Sequence, residues 1–135
     1  MIESQKLVAR FMKAFGQPTS KGFSDRKNIL LGSSLILEEA KETAEAVRDF
    51  LLKDSEENRA HIVKELTDVA FVACWLAAHI GVDLDAAFLR VWESNMSKLD
   101  SNGKPIYRED GKVLKGPDYH EPILTDIVRA IPKEL

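Results

Sequence analysis

The sequence predicts an all-α protein of the four-helix-bundle type, with a short hairpin or loop extension at its C-terminal end. Three observations carry that expectation. Apolar residues recur at three- and four-residue spacings, the longest periodic stretches contain no proline, and glycine or aspartate marks the points where one stretch gives way to the next.

Leu7, Val8, Phe11, Met12 and Phe15 make Ile2 to Phe15 a short amphipathic helix that stops near Gly16 and Pro18. Ser24 or Asp25 caps a long second helix running to about Lys53, in which only Gly32 is a weak helix former. A third helix spans roughly Glu56 to Ile80 and ends at Gly81. Asp83 caps a fourth through Leu84, Phe88, Val91, Trp92, Met96 and Leu99. Short connections between such helices favour a bundle. Ser101, Asn102 and Gly103 then break the pattern. Ile106-Tyr107-Arg108 and Lys112-Val113-Leu114 flank Glu109-Asp110-Gly111 as a hairpin, and Ile123 to Ile131 adds a short helix before Pro132.

The 135 residues suit one domain covering positions 1–135. With 44% hydrophobic and 30% charged residues the chain is globular, and a formal charge of -3 supplies no broad basic surface for a nucleic-acid polymer. The single Cys74 has no partner for an intramolecular disulfide, and the opening Met-Ile-Glu-Ser-Gln-Lys lacks the order of a secretory signal, so a cytoplasmic location is the default expectation. The most apolar stretch, Leu66 to Ile80, contains Asp68 and His79 and falls short of the roughly 20 residues that span a bilayer. A buried helix is expected there, and no membrane partner.

The chemistry lies in the carboxylates. Glu38, Glu39 and Glu42 occupy an arc of about 100° on the second helix, since each residue turns the helix by about that angle. Glu65 and Asp68 share a face of the third, so two adjacent helices bring both sets together. Glu-rich helices are often only solvated faces with ion pairs, and Lys41, Glu45, Arg48 and Asp49 supply such partners. Glu39, however, falls in the arc of Leu35, Ile36, Ala46, Val47 and Phe50, and Asp68 is embedded among Leu66, Val69, Phe71, Val72 and Trp75. Burying an unpaired carboxylate costs on the order of several kcal/mol, and no Lys or Arg occurs between Leu66 and Ala87. A divalent cation is the economical counter-charge. An all-oxygen donor set without Cys or a suitably spaced His favours Mg²⁺, with Mn²⁺ as a substitute, over Zn²⁺. A di-iron bundle would carry Glu-x-x-His repeats, which are missing here. His79 is expected as a hydrogen-bonded core or interface residue rather than a ligand, and Trp75, Trp92, Phe88 and Tyr107 in the core or a subunit interface. No glycine pattern of the Walker or Rossmann type occurs.

Glu38-Glu39-Ala-Lys-Glu42 followed by Glu65-Leu-Thr-Asp68 resembles the signature of the all-α nucleoside triphosphate pyrophosphohydrolases, the superfamily of MazG-like proteins, dimeric dUTPases and phosphoribosyl-ATP pyrophosphohydrolases. Asn95-Met-Ser-Lys98 and the tail from Gly111 to Tyr119 extend the resemblance. It implies hydrolysis of a nucleoside triphosphate to the monophosphate and pyrophosphate by a homodimer or homotetramer. Glu39, Glu42, Glu65 and Asp68 would be the metal ligands, and Glu38 the general base for the attacking water or a further ligand. Asn95 and Lys98 would contact the substrate, with Lys115 or Arg108 as further cations against its phosphates. Phosphoribosyl-ATP is the alternative substrate. A non-catalytic helical dimer that binds a partner would leave the inward carboxylates without a purpose.

Overall fold

In the computed structural model, residues 3–131 are described, and they form helices without any strand. The helices are α1 (Glu3–Ala14), α2 (Arg26–Leu52), α3 (Glu56–Ile80), α4 (Leu84–Met96) and α5 (Thr125–Arg129). The chain divides into two compact units. One runs to Val82 and includes Ile131, and the other is Asp83–Ala130.

In the first unit α1 and α2 both pack on α3. The ends of α2 and α3 follow from local chemistry. Asp25 accepts a hydrogen bond from the Asn28 amide, and Ser55 accepts one from the Asn58 amide, each satisfying a first-turn donor that has no intrahelical partner. Asn58 also donates its side-chain amide to the Lys53 carbonyl (2.9 Å). That bond ties the tight turn after α2 and sends α3 back along it. Gly81, at φ 95°, ends α3 in the left-handed conformation that glycine adopts without strain.

The core contains Val8, Met12, Ala46, Val72, Cys74, Trp75, Ala77 and Ala78. Gly32 is also buried, because a β-carbon there would stand 2.8 Å from Leu76 Cδ1. The residue that weakens α2 in propensity is the one that lets it approach α3. At the end of α3, the amides of Ser20, Lys21 and Gly22 donate to the carbonyls of Ala78, His79 and Ile80. A loop distant in sequence thereby caps the helix.

In the second unit, Asp83 caps α4 by accepting from the Asp85 amide. The helix ends at Met96 rather than Leu99, because the Lys98 and Leu99 amides reach back only three residues, to Asn95 and Met96. Ser94 Oγ donates to the His120 carbonyl (2.7 Å), and the His120 amide donates to Ser97 Oγ. The expected hairpin is reduced to one antiparallel bridge between Tyr107 and Val113, supported by Leu114 N–H to the Ile106 carbonyl. Arg90 forks onto Asp126 at 2.9 and 2.7 Å and fastens α5 to α4. The terminal helix therefore starts at Thr125, inside the expected Ile123–Ile131. Pro132 and Ile2, which the sequence reading used as boundaries, lie outside the described residues. Among the described residues, no single helix is long and apolar enough to cross a membrane.

Candidate metal centre

One helical turn separates Glu39 and Glu42 on α2, and Glu65 faces them from α3. One carboxylate oxygen from each lies within 4.8 Å of the others. Glu65 is buried and its two partners are half-buried. Oε2 of Glu39 and Oε2 of Glu65 are both inaccessible to solvent and accept no hydrogen bond. Such atoms are costly, since a buried ionised oxygen without a donor has lost its hydration and gained nothing in return.

The crowding appears in the protonation. Glu65 and Glu39 push the Glu42 carboxyl from 4.5 up to about 7, first through the Glu65 oxygen, which can only be a hydrogen-bond acceptor if Glu42 keeps a proton. Burial pushes Glu65 upward. The Lys64 hydrogen bond and the Glu42 contact outweigh that burial and hold Glu65 below the ordinary glutamate value.

Oxygen ligands on one ion stand no more than twice the metal–oxygen distance apart, about 4.2 Å for Mg²⁺ and about 5 Å for Ca²⁺. Carboxylates already within 4.8 Å close on such an ion with small side-chain adjustments. The two orphaned oxygens and the all-oxygen donor set fit a hard divalent cation.

The other expected residues are placed differently. Asp68 is not among the three gathered oxygens. Its Oδ2 pairs with Lys64 Nζ at 2.8 Å, and its side chain is 34% exposed. Lys64 Nζ also lies 3.1 Å from Glu65 Oε1, the oxygen that His61 Nε2 approaches at 3.1 Å. Both partners follow from i,i+4 spacing on α3, His61 with Glu65 and Lys64 with Asp68. The stretch without Lys or Arg begins at Leu66, and Lys64 stands just before it, one turn from Asp68. Glu38 is exposed on α2. Asn95, exposed in the last turn of α4, and Lys98, half-buried just after it, belong to the second unit. There too Arg108 is paired with Asp110, and Lys115 lies 4.7 Å over the Tyr119 ring.

His79 is a core residue, as expected. Its Nδ1 lies 2.9 Å from the Pro18 carbonyl, which can only accept, so that nitrogen carries the proton. Trp75 stacks on His79 and donates Nε1–H to Gln17 Oε1.

With this geometry in hand, the sequence pattern described as phosphoribosyl-ATP pyrophosphohydrolase matches residues 8–95. The chain belongs to that family. The phosphoribosyl-ATP pyrophosphohydrolase match takes in most of α1, all of α2 and α3, and nearly all of α4, so it contains every carboxylate of the cluster. The family lies within the all-α, MazG-like pyrophosphohydrolase superfamily, whose signature the two acidic motifs resemble. Membership assigns pyrophosphohydrolase chemistry on a nucleotide, and the family is in general metal-dependent. No curated protein matches the chain.

Proposed function

We propose that this protein hydrolyses a nucleoside triphosphate between its α- and β-phosphates in the presence of Mg²⁺, releasing the monophosphate and pyrophosphate. The observation that carries this reading is the pair of buried, partnerless oxygens on Glu39 and Glu65, with Glu42 beside them. Three acid groups so arranged are tolerable beside a divalent cation and otherwise poorly suited to a polyanionic substrate. When bound, the ion supplies the positive charge that offsets the charge building on the phosphate oxygens.

Glu39, Glu42 and Glu65 would hold that ion, and Asp68 is the fourth ligand in this reading. Glu38, exposed on the same helix, is free to take the proton of the attacking water, or adds a ligand. Asn95 and Lys98 supply a hydrogen-bond donor and a positive charge for the substrate. Assembly as a homodimer or homotetramer is supported by the exposed leucines of α2, among them Leu30 (68%), Leu37 (69%) and Leu52 (82%). A partner-binding module without catalysis gives the orphaned acid oxygens no role.

Phosphoribosyl-ATP is the second reading of the substrate, favoured by the description of the matching family. A panel of canonical and modified ribo- and deoxyribonucleoside triphosphates, with phosphoribosyl-ATP among them, separates the two. Each reaction is scored for pyrophosphate against orthophosphate, with Mg²⁺ and with chelator. Mg²⁺-dependent pyrophosphate release from a nucleoside triphosphate is expected. Orthophosphate release, or full turnover in chelator, would contradict the proposal, and turnover confined to phosphoribosyl-ATP would select the second reading.

A further inference from the structure

We propose that Lys64 is an internal counter-cation that holds Asp68 in the metal-free protein and competes with the divalent ion for it. This rests on the metal-site reading above and adds to it a device that sets the affinity of the site.

The geometry separates the acid oxygens into two groups. Glu65 Oε1 and Asp68 Oδ2 face Lys64 Nζ at 3.1 and 2.8 Å. Glu65 Oε2 and Glu39 Oε2 accept no hydrogen bond from Lys64 or His61. One lysine therefore serves the outer pair and leaves the inner oxygens without a cationic partner. Lys64 has a 63% exposed side chain on a flexible four-carbon stem, so it can leave at little cost in packing. An exposed lysine–carboxylate pair is weak, and a divalent ion drawing in Asp68 has to outbid only that pair. His61, the other positive-capable group at Glu65, touches Oε1 alone. Removing the Lys64 charge leaves Asp68 unheld and the cluster more negative, which favours the metal on both counts.

The test is Mn²⁺ binding to the full-length protein, followed by the paramagnetic signal of free Mn²⁺, for wild type, Lys64→Met and Lys64→Arg. Methionine keeps the stem and removes the charge, and arginine keeps the charge. The expected result is tighter Mn²⁺ binding in Lys64→Met, by about two- to fivefold, with Lys64→Arg close to wild type. Lys64→Met should also melt at lower temperature than wild type without metal, and gain more from saturating Mn²⁺. Unchanged or weaker Mn²⁺ binding in Lys64→Met, beside normal binding in wild type, would overturn the competition and leave the metal site standing. Failure of wild type to bind Mn²⁺ would remove the site itself, and this proposal with it.

Discussion

Helix α3 carries a buried polar cluster toward each end, and the two are built on opposite terms. Toward its C-terminal end, His79 gives its Nδ1 proton to Pro18, Trp75 gives its indole proton to Gln17, and the loop amides of Ser20, Lys21 and Gly22 close the helix. Only His79 Nε2 lacks a hydrogen bond there, 3.5 Å from Asp25 Oδ2. Toward its N-terminal end, Glu65 meets Glu39 and Glu42 with two acid oxygens unanswered. A lone imidazole nitrogen costs little, whereas a buried acid oxygen without a donor costs a great deal. The first cluster is explained by the fold it holds together. The second is answered only in part by the chain, through Lys64, His61 and the proton that Glu42 keeps.

That contrast can be broken by substitution. Glu65→Gln keeps the shape and removes one charge from the cluster. It should lower Mg²⁺-dependent turnover by about a hundredfold or more, in the range seen when a key electrostatic stabiliser is removed, while the helical circular dichroism and melting temperature hold or rise. His79→Ala should do the reverse, because it leaves a cavity beside Trp75 and an unanswered Pro18 carbonyl. A loss of about 2–4 kcal/mol in unfolding free energy is expected by denaturant titration, with the turnover of the remaining folded protein little changed. An unstable Glu65→Gln or a fully stable His79→Ala would exchange the two roles.

A smaller effect sharpens the same comparison through pH. Without metal, the folded protein raises the Glu42 carboxyl from 4.5 to about 7. The native state therefore holds that proton more tightly than the unfolded chain. The associated stability is fully present below pH 4.5 and is lost as pH rises toward 7, where three charged carboxylates face one another. A bound divalent ion reverses that repulsion. The rise in melting temperature on adding Mg²⁺ should accordingly grow between pH 5.5 and 8, and a rise independent of pH would show that Glu42 does not share the ion.

Much of this was legible from the sequence, and the reasons differ by element. Asp25, Asp83 and Gly81 mark helix ends because caps act within one turn, so spacing alone finds them. The angular argument that turned Glu39 inward depends only on helical geometry, and its Oε2 is buried. Gly32 read as a weak point because its reason lies on another helix, at Leu76. The Ser20–Gly22 cap on α3 is illegible for the same cause, since tertiary bonds leave no local pattern. The Lys64–Asp68 pair is legible in the sequence, since the lysine stands one turn before Asp68 at ordinary ion-pair spacing. The hairpin shrank to a single bridge because turn signals fix where the chain reverses and not how far it pairs.

The central claim is tested most directly by counting Mn²⁺ bound to wild type and to the double variant Glu39→Gln/Glu65→Gln at pH 7.5, with folding of both checked by circular dichroism. Saturable binding in wild type, lost or weakened at least tenfold in the variant, is the predicted result. Equal binding by the two folded proteins would contradict it, and the acid oxygens between α2 and α3 would then need another explanation.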